Sequence, residues 1–282
     1  MRTRLFAAVW IAFAFLLGAT SCDGKGSKGQ QNDIKFSSID REEQYHLMDN
    51  PENPNCNLEI KFTYPTHLGK QALLPELQKQ FVSAYFGEKY EPLTPEKAVQ
   101  QYIEDYLTAY KELEVDFLAE KEKASSESMT AWYSYFEMSQ NEIIFNQGGI
   151  LSYTVYFENY TGGSHGGHAT NHHVIDLNTA KPLTEEDLFV DGFAEPMAQI
   201  LVDQIAKQNN VTDPKELENL GFFSIDEIFP NGNFLVDDKG ITYSFNEYEI
   251  AAYAVGLTQV TLPYAEIRHL LRDDSPIAAF ID

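Results

Sequence analysis

Residues 151–158 read LSYTVYFE, with apolar side chains at the odd positions and Ser, Thr, Tyr and Glu at the even ones. Alternation with a period of two is typical of a β-strand that buries one of its faces. This is the clearest strand pattern in the chain, and the fold class follows from the segments that surround it.

Strand patterns continue on both sides of this stretch. Residues 131–138 and 142–147, separated by Ser-Gln-Asn, predict a hairpin, and residues 168–177 predict the strand that follows. Residues 57–64 (NLEIKFTY) also alternate and predict a strand that ends at Pro65. Strands joined by short links favour an antiparallel meander.

Helical spacing of apolar residues appears before and after these strands. It predicts helices over 70–86, from Thr94-Pro95 onward and over 193–206, and the later segments 233–236, 240–245 and 260–263 predict further strands. Because strands and helices occur in clumps, the predicted fold class is α+β, with antiparallel meander sheets packed against several helices. We predict an N-terminal α+β domain at 41–183 and a C-terminal α+β domain at 184–282.

The N-terminus, MRTRLFAAVWIAFAFLLGATSC, has the pattern of a secretory signal. Arg2 and Arg4 precede an apolar run from residue 5 to 17, which is shorter than the ~20 residues that span a bilayer. Small residues then lead directly into Cys22, as in a bacterial lipobox. We therefore predict a signal peptide at 1–21 and lipidation at Cys22; an ordinary signal peptide with an incidental cysteine is the alternative.

Residues 22–40 begin with DGKGSKGQQND after the cysteine and predict a lipidated, flexible tether. The expected location is extracytoplasmic, in the periplasm or at the cell surface, with the membrane held as a partner through the N-terminal lipid. If Cys22 carries lipid, Cys56 is the second of two cysteines and no intrachain disulfide is possible. We expect Cys56 to be a small apolar filler.

The chain has 20 basic and 43 acidic residues, a net charge of −23. That balance argues against a nucleic-acid partner, because phosphates need a basic surface. It favours a cationic partner through long-range steering. The simpler alternative is that the carboxylates only keep the protein soluble.

Residues 160–173, YTGGSHGGHATNHH, hold four of the seven histidines. The glycines suit a hairpin loop between two strands, which explains them without any function. A loop that carries aromatic and polar side chains is also typical of recognition. The candidate binding loop consists of Tyr160, Gly162, Gly163, Ser164, His165, Gly166 and His168.

A metal site is not predicted in this stretch. His172 and His173 are adjacent in a strand and point to opposite faces, while His168 and His172 lie roughly 13 Å apart in an extended strand. A nucleophile is not predicted either, because GGSHG at 162–166 lacks the Gly-x-Ser-x-Gly arrangement. We expect no metal, no cofactor and no catalytic residue.

Two stretches resemble a family of bacterial envelope proteins. YTGGSHG at 160–166 is similar to that family's Y-x-G-G-A-H-G, and YSFNEYEIAAYAVG at 243–256 to its F-x-x-Y-E-I-A-P-Y-A-x-G. The C-terminal part resembles the domain of unknown function in the RsiV anti-sigma factor, and the N-terminal part resembles its companion domain, also found in PdaC-type peptidoglycan deacetylases. Residues 176–189 also resemble the family's D-L-x-T-G-K-x-L-x-L-x-D-L-F. Ser164 replaces the usual Ala, Ala180 the usual Gly and Ala252 the usual Pro, all small substitutions.

The resemblance implies an extracytoplasmic sensing or binding module, with lysozyme recognition in one branch. Residues 1–282 show neither a deacetylase domain nor a sigma-binding segment, so we expect neither role to transfer whole. The leading hypothesis is a lipid-anchored, non-catalytic module that binds a cationic protein or a peptidoglycan fragment. The alternative is a peptidoglycan-acting enzyme, or a deacetylase accessory subunit, with a His-lined cleft. Tyr248 and Tyr253 are expected to be core aromatics flanking a bend.

Overall fold

Nine strands form two sheets in the computed structural model, which describes residues 29–121 and 126–281. The predicted signal peptide and Cys22 lie outside the described residues. The six-stranded sheet follows chain order and consists of β1 (Ile34–His46), β2 (Asn55–Leu68), β3 (Tyr135–Gln147), β4 (Ile150–Tyr160), β5 (Gly167–Asp176) and β6 (Lys181–Pro182). Its neighbours are antiparallel except for β2 and β3, which run parallel.

The parallel pair exists because helices, and not a tight turn, connect β2 to β3. These helices are α1 (Leu74–Phe86), α2 (Pro95–Glu112), α3 (Glu114–Lys121) and α4 (Ser126–Tyr133). Side chains of α1 and α2 bury one face of the sheet, the inner face, in a core that includes Phe62, Phe81 and Tyr153. The helices predicted at 70–86 and from Thr94-Pro95 are confirmed.

The rest of the chain packs against part of the opposite face, the outer face. It contains the helices α5 (Glu185–Leu188), α6 (Ala194–Gln208), α7 (Tyr264–Ile267) and α8 (Ala278–Ile281), and a three-stranded antiparallel sheet of β7 (Phe234–Val236), β8 (Gly240–Phe245) and β9 (Thr258–Pro263). Its core reaches the large sheet through Phe145, Ile150 and Val174. The α+β class is confirmed, with three layers and the six-stranded sheet in the middle.

One predicted hairpin is wrong. Residues 135–147 form the single strand β3, and residues 131–133 belong to α4. The polar segment Ser139–Asn141 is not a turn because it has ladder partners on both sides, and the Asn141 amide also exchanges two 2.7 Å hydrogen bonds with the backbone of Thr63.

Two predicted boundaries are also wrong. β2 continues through Pro65 to Leu68, because a register shift opposite Lys35 and Phe36 leaves Thr66 as an extra residue in β2 beside the proline. β1 begins at Ile34, so residues 34–40 belong to the folded body and not to the tether. Ile34, Phe36 and Ile39 of this strand contact the inner core, which explains why the segment is held. The domain boundary at 183/184 stays a prediction.

Each helix in the described residues is too short or too polar to cross a membrane.

Candidate binding site

The glycine-rich loop joins β4 to β5 and is folded back on itself. The Tyr160 hydroxyl donates to the carbonyl oxygen of Gly163 at 2.8 Å. Gly162 has φ +85°, and a Cβ there would lie 2.7 Å from the carbonyl oxygen of Trp132. Gly162 is therefore required twice, for its backbone conformation and for the close approach of α4.

His165 in this loop meets the segment 246–253, which follows β8. Its ring lies 4.1 Å from the Tyr253 ring, centroid to centroid, at an interplanar angle of 23°. Its Nε2 atom is 3.4 Å from the Tyr248 hydroxyl, and the two tyrosine rings are 5.8 Å apart. Three aromatic rings thus face one another at the surface. We call Tyr160, His165, His168, Glu158, Glu247, Tyr248 and Tyr253 the ring cluster.

The prediction that Tyr248 and Tyr253 are core aromatics is wrong. Tyr248 is 56 % exposed and Tyr253 is half-buried. The packing in this segment is done by Ile250 and Ala251 instead. Tyr248 has φ +67°, a left-handed conformation that costs a tyrosine roughly 1–2 kcal/mol. Strain of this kind concentrates at functional sites, and here it accompanies an exposed aromatic side chain.

His168 lies between two carboxylates. Its Nδ1 atom is 3.2 Å from Glu247 Oε1, and its Nε2 atom is 3.5 Å from Glu158 Oε1. Both distances lie within ion-pair range, and a cationic ligand could contact the same two carboxylates.

The ring cluster surrounds an open depression of about 290 Å³. It is lined by Asn159, Tyr160, Thr161, His165, Gly166, Gly167, His168, Glu247, Tyr248 and Tyr253. The structure thus brings Tyr160, His165, Gly166 and His168 of the candidate loop together, while Ser164 lies on its exposed tip. Among residues 29–121 and 126–281, three or more His, Cys, Asp or Glu side chains do not converge in a way that could hold a metal ion.

His172 and His173 do not belong to this site. They point to opposite faces of the sheet, as predicted. The Nδ1 atom of His172 lies 2.8 Å from Thr154 Oγ1, and its Nε2 atom lies 2.6 Å from Ser244 Oγ. Ser244 has no exposed surface, so this Ser–His pair is out of reach of a substrate. Burial lowers the pKa of His172 to about 4, with a smaller contribution from neighbouring His173.

Two asparagine side chains hold the segment 246–253 in place. Asn246 Oδ1 accepts a hydrogen bond from the Thr170 amide at 2.8 Å. Asn233 Oδ1 accepts from the His172 amide at 2.8 Å, and its Nδ2 atom donates to the Thr170 carbonyl at 2.8 Å. The side-chain amides of Asn233 and Asn246 thus form the hydrogen bonds that a neighbouring strand would form with β5. Sequence reasoning missed Asn233, Glu158 and Glu247 as residues of the site. The resemblance of residues 243–256 to the family pattern was the signal available, and it identified the segment but not the role of Glu247.

Comparison with known families agrees with this architecture. The family model described as "Protein of unknown function (DUF3298)" matches residues 186–265, and "Deacetylase PdaC" matches residues 52–168. The crystal structure of a DUF3298 family member from Bacteroides fragilis NCTC 9343 is 31% identical, with a TM-score of 0.83 over 89% of this chain and 98% of that one. The chain belongs to the DUF3298 family. The expected resemblance, with the PdaC-like part first, is confirmed.

A second crystal structure, of a DUF3298 family protein from Pseudomonas aeruginosa PAO1, covers 87% of this chain and 98% of that one. It is 13% identical with a TM-score of 0.59, so it supports the fold alone. No curated protein matches this DUF3298 chain. The two family matches together indicate a cell-envelope-associated protein of unknown function.

The ring cluster lies where the two matched regions meet. Tyr160, His165 and His168 come from the region that matches PdaC, and Glu247, Tyr248 and Tyr253 come from the region that matches DUF3298. Neither region alone forms the depression.

Proposed function

We propose that this DUF3298 protein is a non-catalytic recognition module that binds a basic protein at the ring cluster. The observation that carries the proposal is the meeting of two regions, about 80 residues apart in sequence, around exposed rings and carboxylates. Stable folding does not require an exposed Tyr248 with a strained backbone, or two carboxylates that share one imidazole. A binding role accounts for both features.

The chemistry of the cluster suits a lysine or arginine side chain. The faces of Tyr248 and Tyr253 attract a cation, and Glu158 and Glu247 can accept its N–H groups. The chain's net charge of −23 would steer a basic partner toward the protein. Lysozyme, a basic protein, fits this description and is the partner that the family resemblance implies.

The test is binding of lysozyme to the secreted chain, with cytochrome c as a second basic protein. Tyr253→Ala removes the ring on which His165 stacks and should weaken lysozyme binding at least tenfold, whereas Tyr253→Phe keeps the ring and should bind within threefold of wild type. Both affinities are measured by calorimetry at one salt concentration. Equal affinity of wild type and Tyr253→Ala, or equal binding of cytochrome c, would contradict a specific site.

The location belongs to the same proposal. A lipid on Cys22 would hold the folded body outside the cytosol, supported by the apolar run and the small residues before the cysteine. Equal palmitate labelling of wild type and Cys22→Ser would remove the anchor from the proposal.

A second candidate function is favoured by the match to "Deacetylase PdaC", which covers residues 52–168 and includes His165 and His168. In this alternative the protein acts on peptidoglycan or assists an enzyme that does. Purified cell wall incubated with the chain should then release acetate or sugar fragments, and His165→Ala should stop the release. No release at any protein concentration would contradict an enzyme and leave the recognition module or an accessory role.

A further inference from the structure

The outer face of β1 to β4 is open where the C-terminal part does not cover it. Three rows of paired residues cross these strands side by side. They are Gln44–Asn57–Phe136–Tyr160, Glu42–Glu59–Met138–Glu158 and Asp40–Lys61–Gln140–Tyr156. Every residue in the three rows is half-buried or exposed.

The charges in these rows are arranged unfavourably for the isolated protein. Four carboxylates face one ammonium group, that of Lys61, and Glu42 lies directly opposite Glu59. Like charges in directly opposed positions destabilise a sheet. The Lys61 pKa is raised, first by its hydrogen bond with Glu59 and further by Asp40 and Glu42, so a single cation serves three carboxylates. A local energetic cost without a structural benefit is expected at a functional surface.

Residues of the first two rows also line a groove, with a volume of about 520 Å³. Phe136 and Met138 line it between the carboxylates of Glu42, Glu59 and Glu158. It continues into the ring cluster, because Glu158 borders the groove and also lies 3.5 Å from His168. From Glu42 on β1 to His168 on β5 the path crosses four strand spacings, or about 19 Å.

We propose that this groove docks an extended basic segment of the partner protein, laid across the strands from Glu42 past Glu158 to His168, with one end at the ring cluster. The inference rests on the proposed function and extends it from one contact point to a docking surface. A length of about 19 Å corresponds to roughly six residues of extended chain.

The chemistry of the groove selects this occupant. Lysine and arginine can place their charged ends on Glu42, Glu59 and Glu158 while their aliphatic stems cover Phe136 and Met138. A second copy of this chain is disfavoured, because each copy carries a net charge of −23. A small polycation would match the carboxylates but would leave the apolar lining without a counterpart.

The probe is a fluorescent hexapeptide, KTKTKT with blocked termini, whose binding to the secreted chain is followed by anisotropy at fixed salt. The test variant is Glu42→Gln with Glu59→Gln. The matched control is Glu216→Gln with Glu218→Gln, which removes the same charge from exposed positions outside the groove. The groove variant should bind the peptide at least tenfold more weakly, and the control within twofold of wild type.

The thermal unfolding midpoint of the groove variant should equal or exceed that of wild type, because the variant removes a like-charge pair. Equally weakened peptide binding in both variants would mean that the peptide responds only to the electrostatic field of the whole protein. That result would overturn the docking surface. Competition by spermidine at the affinity of the peptide would overturn a polypeptide occupant. Lysozyme binding that depends on Tyr253 but not on Glu42 and Glu59 would sink this inference and leave the proposed function standing.

Discussion

His172 and His173 show that adjacent positions in a strand place titratable residues in different surroundings. His172 faces the C-terminal part and bonds to the hydroxyls of Thr154 and Ser244. His173 faces the inner core, stacks on Tyr153 with centroids 5.0 Å apart, and has an enclosed Nε2 atom without a hydrogen-bond partner among the described residues. Burial lowers the pKa of each to about 4.

These two residues predict acid sensitivity. An unfolded histidine takes up its proton near pH 6.5, but the folded chain does so only near pH 4. Between these values the unfolded state binds more protons, so stability rises with pH across the window and levels off above about 6.5. A shift of this size corresponds to about 3 kcal/mol for each residue.

His173→Phe keeps an aromatic ring against Tyr153 and removes both the titration and the unpartnered Nε2 atom. The variant should gain stability relative to wild type as the pH falls from 7 to 5, while the difference between the two stays constant from pH 7 to 8. Urea unfolding at each pH measures the free energies. Parallel pH profiles for both proteins would contradict the assignment.

At the scale of elements, the part of the β5 edge that β6 does not pair with is completed by side chains. Asn246 and Asn233 form hydrogen bonds with the backbone N–H and C=O groups of Thr170, and Asn233 also bonds to the N–H group of His172. The segment 246–253 begins at one of these asparagines, so the edge of the sheet determines where Glu247, Tyr248 and Tyr253 lie.

Asn246→Ala should therefore affect both stability and binding. It leaves the amide of Thr170, a buried residue, without its acceptor, at a cost of about 1–3 kcal/mol. Thermal unfolding gives the stability, and hydrogen exchange at Thr170 should become much faster. Asn50→Ala, in an exposed turn, is the control and should stay within about 0.5 kcal/mol of wild type. Unchanged exchange at Thr170 would show that the hydrogen bond from the Thr170 amide to Asn246 does not protect this amide.

Local patterns predict those elements whose residues alternate and whose ends carry turn residues, and the strands at 150–160, 167–176 and 240–245 are confirmed. They fail for β3, because the partner of Asn141 is Thr63, which is remote in sequence. The same reason limits the site: the loop at 160–168 can be recognised by its composition, but its contact with Tyr253 depends on topology. An aromatic pair beside Ile250 and Ala251 has the same pattern whether it is buried or exposed.

At the scale of the molecule, the chain enters the fold at one end of the large sheet and carries the ring cluster at the other. Asn32 docks on the β3–β4 turn, where its Nδ2 atom donates to the Ile150 carbonyl at 2.8 Å and its Oδ1 atom accepts from the Gly149 amide at 2.7 Å. β4 runs from this contact to Tyr160, a length of about 35 Å for 11 residues. A lipid on Cys22 would be joined to Gln30 by eight residues, which reach at most about 28 Å.

If Cys22 carries a lipid, this geometry predicts that the ring cluster faces away from the membrane on average. Single cysteines placed at Ser164, on the loop tip, and at Asn178, in an exposed turn near Gly149, can carry a fluorescent label in the lipidated chain. Cys56 should not react, because it is buried and its thiol pKa is raised to about 11. On vesicles containing headgroup-nitroxide lipid, the label at Asn178→Cys should be quenched several-fold more than the label at Ser164→Cys. The unlipidated Cys22→Ser background should show little quenching at either position, and stronger quenching at Ser164→Cys in the lipidated chain would reverse the orientation.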